Sequence, residues 1–355
     1  MSDLIQSRAA FGTEKDRVIF SSKTMKKQSC SLPEVQPTIL PRDFRIANIE
    51  RLRILSAFAV ASFHTHEWFP RSLGVIGFLV LILTFCTFVV NKAKPYPIAD
   101  LAKRRAGRLL KPWLFWSVVY GGVGLVKVIY MKVPFSETFT PTMLLTGTRI
   151  HLWFLPFAFV AALLLALVHH KIVHIKDTLN IVVALVVGTV CILGCSIIQS
   201  RVFPPVPLTQ WILGFPAIPL GLAIGRIIML QKKEDRRDYF LLMNGSILVA
   251  YAVYTLFVRL YDNTWFDFGS LYIIRYCISV PVVCAALYWR GRLDWISKKL
   301  GSLSYGIYLV HPLVIIFLYQ LNIAVQQPLV LLFMVLSASM LISIIFKKTP
   351  LRSFV

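Results

Sequence analysis

The chain has 355 residues, of which 57% are hydrophobic and 15% charged, and its mean hydropathy is +0.70. A soluble domain averages about 25% charged residues and cannot hide this much apolar surface from water. The composition therefore excludes intrinsic disorder, a disulfide scaffold and a soluble enzyme, and it predicts a polytopic membrane protein.

Ten apolar segments follow one another, each about 18–24 residues long and able to cross a ~30 Å hydrocarbon core. They lie at 46–69, 72–91, 109–131, 152–169, 179–199, 207–230, 239–259, 269–289, 302–322 and 327–346. The sequence therefore predicts an all-α bundle of about ten transmembrane helices over residues 46–346. Residues 1–45 are rich in Ser, Gln and charge, so we expect a disordered cytoplasmic tail there. Residues 347–355 form a short basic tail.

The basic residues are distributed unevenly between the two sides of this bundle. Of the 38 Lys and Arg residues, 31 lie in the two tails and in every second connection, and 7 lie on the other side. Because cytoplasmic loops carry an excess of Lys and Arg, this split predicts that both termini are cytoplasmic. It also accounts for the net charge of +22 without a nucleic-acid partner.

The first apolar segment contains two ionisable residues, Arg53 and His64. Eleven positions of a helix leave them about 20° apart around the axis and ~16 Å apart along it, so both face one side. Such side chains are costly at membrane depth and normally face a bundle interior or a wet cavity. Both are candidate catalytic residues. The alternative is an Arg that reaches the cytoplasmic interface and a His that packs in the core.

A basic cluster precedes the third segment and contains Arg105 and Arg108. These two residues share a helix face, and a pair of guanidinium groups suits bidentate recognition of phosphate. The alternative is a topology signal, since loops on the cytoplasmic side commonly contain such runs.

Two further groups are site candidates: His151 and Trp153 at the outer start of the fourth segment, and Tyr305 and His311 in the ninth. His311 falls near the middle of its segment, beside Pro312, which tends to kink a helix. An interfacial His and Trp can be purely structural. A mid-membrane His beside a kink can be structural or part of a site.

No metal site is predicted. His64, His66 and Glu67 are the best candidate ligands, but positions i and i+2 do not share a helix face. The six cysteines lie mostly in apolar runs without a CxxC pair, which indicates buried thiols.

Four sequence motifs occur in a characteristic order. They are LRILSAFAVASFH at 52–64, RRAGRLLKPW at 104–113, HLWFL at 151–155 and SYGIYLVHP at 304–312. Together they resemble the signature motifs of acyltransferase family 3, a family of bacterial integral-membrane acyltransferases. The resemblance extends over most of the chain, from about residue 46 to 346.

This resemblance implies transfer of an acyl group, usually acetyl, from acyl-coenzyme A to a hydroxyl of an envelope glycan. The acceptor would be an exopolysaccharide, an O-antigen or a lipid-linked sugar, and the location a bacterial inner membrane. Acetyl-coenzyme A would be a donor substrate and not a permanently bound cofactor. His64, with Arg53, would be catalytic, as a base or as an acyl carrier. Arg105 and Arg108 would bind the phosphates of coenzyme A.

Two other classes of function stay open on the sequence. A transporter or flippase of a lipid-linked sugar would use Arg53, His64 and His311 to line a polar path. Such a protein is expected to have inverted repeats and matching broken helices, which the sequence does not clearly contain, although Pro216 and Pro219 break the sixth segment. A structural assembly partner would not need an Arg and two His residues at membrane depth.

Overall fold

The computed structural model describes residues 47–65, 71–90, 97–172, 176–230, 232–262, 267–289, 294–321 and 327–355. The tail predicted at 1–45 lies outside these residues. The described part of the chain is helical and contains no strand, which confirms the prediction of an all-α bundle.

The helices follow the order of the predicted segments. They are α1 (Ala47–Thr65), α2 (Arg71–Val90), α3 (Ile98–Met131), α4 (Phe135–Thr138), α5 (Met143–Thr146), the 3-10 helix η1 (Ile150–Trp153), α6 (Phe154–Ile172), α7 (Asp177–Arg201), α8 (Leu208–Gly214), α9 (Ala217–Ile227), α10 (Lys233–Asp262), α11 (Phe268–Tyr288), α12 (Trp295–Gln320), α13 (Pro328–Lys347) and the 3-10 helix η2 (Pro350–Phe354).

Nine helical segments of the described chain are long and apolar enough to cross a membrane. They are α2, α3, the stretch from α4 to α6, α7, α8 with α9, α10, α11, α12 and α13. The first predicted segment is the exception, because α1 contains Glu50, Arg51, Arg53 and His64 within 19 residues. It nevertheless packs along its length against α2 and α12.

Two elements differ from the predicted segments. Helix α3 begins at Ile98 instead of near residue 109, so the arginine cluster is part of the helix. The sixth segment is divided into α8 and α9 at Phe215 and Pro216. Proline has no N–H to donate, which interrupts the helical hydrogen-bond ladder at this position.

Close contacts at glycines fix the orientation of α1 between its neighbours. Gly301 of α12 packs against Glu50 near the start of α1, while the rings of His311 and His64 meet near its end. Helices α1 and α12 are therefore parallel. Gly74 of α2 packs against Phe63, so α2 begins where α1 ends.

These contacts define two ends of the bundle. We call the end at which α1, α7 and α12 finish, and α2, α8 and α11 begin, the histidine end. The opposite end, where α3 begins, is the basic end. At 34 residues, α3 extends for about 51 Å and reaches from one end to the other.

Candidate active site

Three imidazole rings meet inside the bundle, and each comes from a different element. The ring centroids of His64 in α1 and His311 in α12 are 5.3 Å apart. Those of His151 in η1 and His311 are 6.0 Å apart. His311 is fully buried and His151 is 6% exposed, whereas His64 is partly accessible. We call His64, His151 and His311 the histidine cluster.

The parallel packing of α1 and α12 brings two of these residues together. Helix α1 approaches α12 closely because Gly301 has no side chain to oppose Glu50. Ten residues further along α12 and fourteen further along α1, the same pair of helices places His311 beside His64.

The orientation of the His311 ring is set by its own helix. Its Nδ1 lies 3.0 Å from the carbonyl oxygen of Ile307. A carbonyl can only accept, so the Nδ1–H donates this bond and the neutral ring keeps its lone pair on Nε2. His311 therefore presents an acceptor nitrogen to its surroundings.

Two tyrosines hold the elements of the histidine cluster together. The Tyr308 hydroxyl donates to the backbone carbonyl of His151, which ties η1 to α12. The Tyr120 hydroxyl donates to the carbonyl oxygen of Leu309 at 2.7 Å, which ties α3 to α12. The Tyr120 ring also lies edge-on to the His151 ring at 4.9 Å.

Several polar atoms of this region are buried without a hydrogen-bond partner among the described residues. They include Nε2 of His151 and Nε2 of His311. The hydroxyl of Tyr305 is also unsatisfied, but six positions along α12 place Tyr305 about 240° around the helix from His311. An unsatisfied buried polar atom costs roughly 1–3 kcal/mol, and native proteins contain few of them. Two such nitrogens on contacting rings, those of His151 and His311, indicate a site that is completed by a ligand or by water.

Arg53 does not belong to the histidine cluster. Its guanidinium forms an ion pair with Glu50 at 3.1 Å, and Glu50 is only 6% exposed. The pair lies in the first turns of α1, whereas His64 lies in the last. Sequence reasoning missed Glu50, although its i, i+3 spacing from Arg53 is a recognisable signal.

The two arginines of the third helix lie towards the basic end. The guanidinium of Arg105 is 5.8 Å from the centre of the Phe85 ring, in a cation–π contact, and Arg108 is exposed. Fifteen residues of helix separate Arg105 from Tyr120, a distance of about 22 Å along the axis. Helix α3 therefore connects this arginine pair with the histidine cluster.

Trp153 packs in an aromatic group of its own. Its ring is 4.8 Å from that of Phe78 and 5.5 Å from that of Phe157, and the residue is 5% exposed. These contacts fix the junction of η1 and α6 beside the cluster. The described residues contain no group of three or more His, Cys, Asp or Glu side chains that could hold a metal ion.

A comparison with protein families finds a match to an acyltransferase domain over residues 46–348. The chain belongs to the acyltransferase 3 family. It is thus a membrane acyltransferase, which the four motifs of its sequence predicted. Comparisons with curated proteins and with solved structures find no match.

Two residues that contact the histidine cluster, Tyr308 and Tyr120, were not among the site residues of this acyltransferase predicted from the sequence. Tyr308 lies three residues before His311 within the fourth motif, so its helical spacing was a usable signal. Tyr120 gives no such signal, because its partners lie far away in the chain, at His151 and Leu309.

Proposed function

We propose that this protein transfers an acyl group, in the first instance acetyl, from acyl-coenzyme A to a hydroxyl of an envelope glycan. The donor binds from the basic end and the acceptor from the histidine end. The observation that carries this proposal is the convergence of His64, His151 and His311 in a chain whose family transfers acyl groups.

The position of the donor in this proposal is based on the charge of coenzyme A. Coenzyme A carries several phosphate charges, and Arg105 and Arg108 offer guanidinium groups at the end of the bundle where basic residues are concentrated. The pantetheine arm then extends along α3 towards the histidine cluster, over the ~22 Å that separates Arg105 from Tyr120.

His64 is the catalytic residue of this proposal. Its imidazole takes the proton of the acceptor hydroxyl, and the hydroxyl oxygen forms a bond with the thioester carbonyl carbon. The carbon–sulfur bond breaks, and the imidazolium of His64 gives its proton to the leaving sulfur, so that coenzyme A departs as the thiol and His64 is neutral again. His64 suits this step better than His311, because its ring is partly accessible while His311 is fully buried.

A second route is open to the same side chain. His64 could attack the thioester itself and carry the acyl group as an acyl-imidazole before passing it to the acceptor. The two routes differ in one measurable respect. The acyl-imidazole route releases coenzyme A stoichiometrically in the absence of acceptor, and the general-base route does not.

The other members of the cluster position the reacting groups. His311 offers Nε2 as an acceptor beside His64, and Tyr308 holds the backbone of His151 against α12. Arg53 acts through Glu50 at the start of α1. We propose that this pair keeps α1 in register with α12, since Glu50 lies against Gly301.

Mass spectrometry of envelope glycans tests the proposal directly. Glycans from cells that contain the protein should carry acyl groups, seen for acetyl as an added mass of one acetyl unit per modified hydroxyl. Those from cells that lack it, or that carry His64→Ala, should not. Identical glycan masses in all three strains would contradict the proposed acceptor class.

A further inference from the structure

A cavity with mostly apolar walls and one charged group opens at the histidine end of the bundle. It has a volume of about 270 Å³ and lies where α7 ends and where α8 and α11 begin. Its lining includes Gln199, Phe203, Thr209, Phe268, Tyr272 and Arg275. We call it the Arg275 pocket.

The charged group of this pocket is Arg275. The Nε–H of its guanidinium is buried, and it has no hydrogen-bond partner among the described residues. A positive group that faces a cavity with an unused donor is suited to an oxyanion, because a guanidinium binds carboxylate or phosphate through two parallel hydrogen bonds.

The other polar groups of the pocket are already engaged. The Gln199 amide donates to the carbonyl oxygen of Thr209 at 2.9 Å, and the Tyr272 hydroxyl donates to that of Ile212 at 3.0 Å. Asp267 lies next to Phe268, but its carboxylate accepts from the Tyr254 hydroxyl and the Ser270 N–H. Among the described residues, no carboxylate forms an ion pair with Arg275.

Aromatic rings form a second feature of the lining. Phe203 and Phe268 meet edge to face at 5.9 Å and remain 63% and 67% exposed. Phe203 has φ of +47°, a conformation that is costly for a bulky residue. Aromatic ring faces attract the weakly positive C–H groups of a sugar ring.

The pocket and the histidine cluster lie at similar depth. The Ser279 hydroxyl of α11 reaches the carbonyl oxygen of Ile76 at 3.4 Å, and Gly74, within one turn of Ile76, packs against Phe63. Arg275 is one turn nearer the histidine end than Ser279. Helices α1 and α11 also contact each other, so the pocket and His64 belong to neighbouring helices.

We propose that the Arg275 pocket binds a saccharide that carries an oxyanion, a carboxylate or a phosphate, and thereby holds the acceptor while another of its sugar units reaches His64. This inference rests on the proposed function for the identity of the acceptor, but the binding itself is measurable without acyl transfer.

The test measures binding to the full chain in nanodiscs of phosphatidylcholine. The probes are a glucuronosyl-glucose disaccharide, glucose 1-phosphate and an uncharged glucose disaccharide. Wild-type protein should prefer at least one charged probe to the uncharged one. Arg275→Gln should weaken binding of that probe by about 10- to 150-fold, the range for charge-assisted hydrogen bonds. Arg275→Lys should recover only part of the loss.

Lys127→Gln is the matched control. It removes one positive charge near the end of α3, at the histidine end of the bundle, from a residue that does not line the pocket. It should leave the affinities unchanged. Phe203→Ala should weaken charged and uncharged probes by the same factor, since it removes stacking and no charge. Melting temperatures of all variants check that the protein folds.

Three results would overturn the inference: equal affinity of the wild type for charged and uncharged probes, an unchanged preference in Arg275→Gln, or loss of the preference in nanodiscs that contain phosphatidylglycerol. The last result would assign the pocket to a lipid headgroup. In each case coenzyme A binding and acetyl transfer are measured separately, so the proposed function stands or falls on its own data.

Discussion

At the level of single residues, the three histidines of the cluster differ in how accessible their side chains are. His151 and His311 are buried and are held by backbone contacts, through Tyr308 and Ile307 respectively. His64 lies in the last turn of α1 and keeps part of its surface accessible. A group that must meet a substrate needs such access, and the groups that orient it do not.

The arginine pair supplies the first prediction. Arg105→Ala and Arg108→Ala should each weaken coenzyme A binding by ~1.5–3 kcal/mol, because each loses charge-assisted contacts with phosphate. Arg105→Lys should restore affinity only partly, since an ammonium lacks the planar fork. Calorimetric titration of coenzyme A into the purified variants measures these changes.

Lys103→Ala is the control for this prediction, because Lys103 is an exposed residue of the same cluster. This substitution should reduce the affinity for coenzyme A only slightly, because Lys103 contributes no more than a weak, salt-sensitive attraction. If both arginine variants bind coenzyme A like the wild type, the cluster is a topology signal and the donor binds elsewhere.

At the basic end, the first turns of α1 and α12 are joined by hydrogen bonds to one carboxylate. Asp294 caps α12 by accepting the Ser297 N–H, and it also pairs with Arg51 of α1 at 2.7 Å. These hydrogen bonds, from Ser297 first and then Arg51, lower the pKa of Asp294 from 3.8 to about 2. One side chain thus defines the start of α12 and fixes it against α1.

This cap predicts a pH dependence. Since the folded-state pKa of Asp294 is below the unfolded value, its contribution is complete above about pH 5 and decreases as the pH falls towards 2. Asp294→Ala should lower the melting temperature at pH 7, and the difference from the wild type should narrow at pH 3. Asp238→Ala, which removes an exposed partner of Arg237, is the control. A difference that stays constant between the two pH values would contradict the role of the ionised carboxylate.

Single elements were easier to predict from the sequence than the contacts between them. Apolar length alone predicted the long helices between α2 and α13, because membrane-spanning segments must satisfy their backbone hydrogen bonds internally. It did not predict the short helices α4, α5 and η1. The start of α3 was misplaced by about ten residues, since Lys and Arg favour helix as well as cytoplasmic loops. The division between α8 and α9 follows from Pro216, whose effect is local.

The sequence named the three histidines as site candidates but did not predict that they meet. Motif order singled out His64, His151 and His311, yet no spacing predicts that three distant elements bring their rings within about 6 Å, a typical distance for packed aromatic rings. The spacing of Arg53 and His64 suggested a common role, but Arg53 instead pairs with Glu50. Such partners depend on packing across the bundle, which local periodicity does not encode.

At the level of the whole molecule, entry of donor and acceptor from opposite ends requires that the two ends of the bundle face different compartments. Lys103 near the start of α3 and Lys132 just after its end are both exposed and belong to opposite ends. In a variant without native cysteines, Lys132→Cys should react with an impermeant maleimide in intact cells. Lys103→Cys should react only after permeabilisation, because basic residues mark the cytoplasmic side. The reverse pattern of labelling would invert the proposed entry sides of donor and acceptor.

The central claim is that His64 performs the chemistry, and acetyl transfer by purified variants tests it most directly. His64→Ala should lose activity by at least the ~10²–10⁴-fold that a general base contributes, while coenzyme A affinity and melting temperature stay near wild type. His170→Ala, which removes an exposed imidazole at the opposite end, should retain full activity. Substantial turnover by His64→Ala, together with loss of turnover in His311→Ala, would contradict the account and assign the catalytic role to α12.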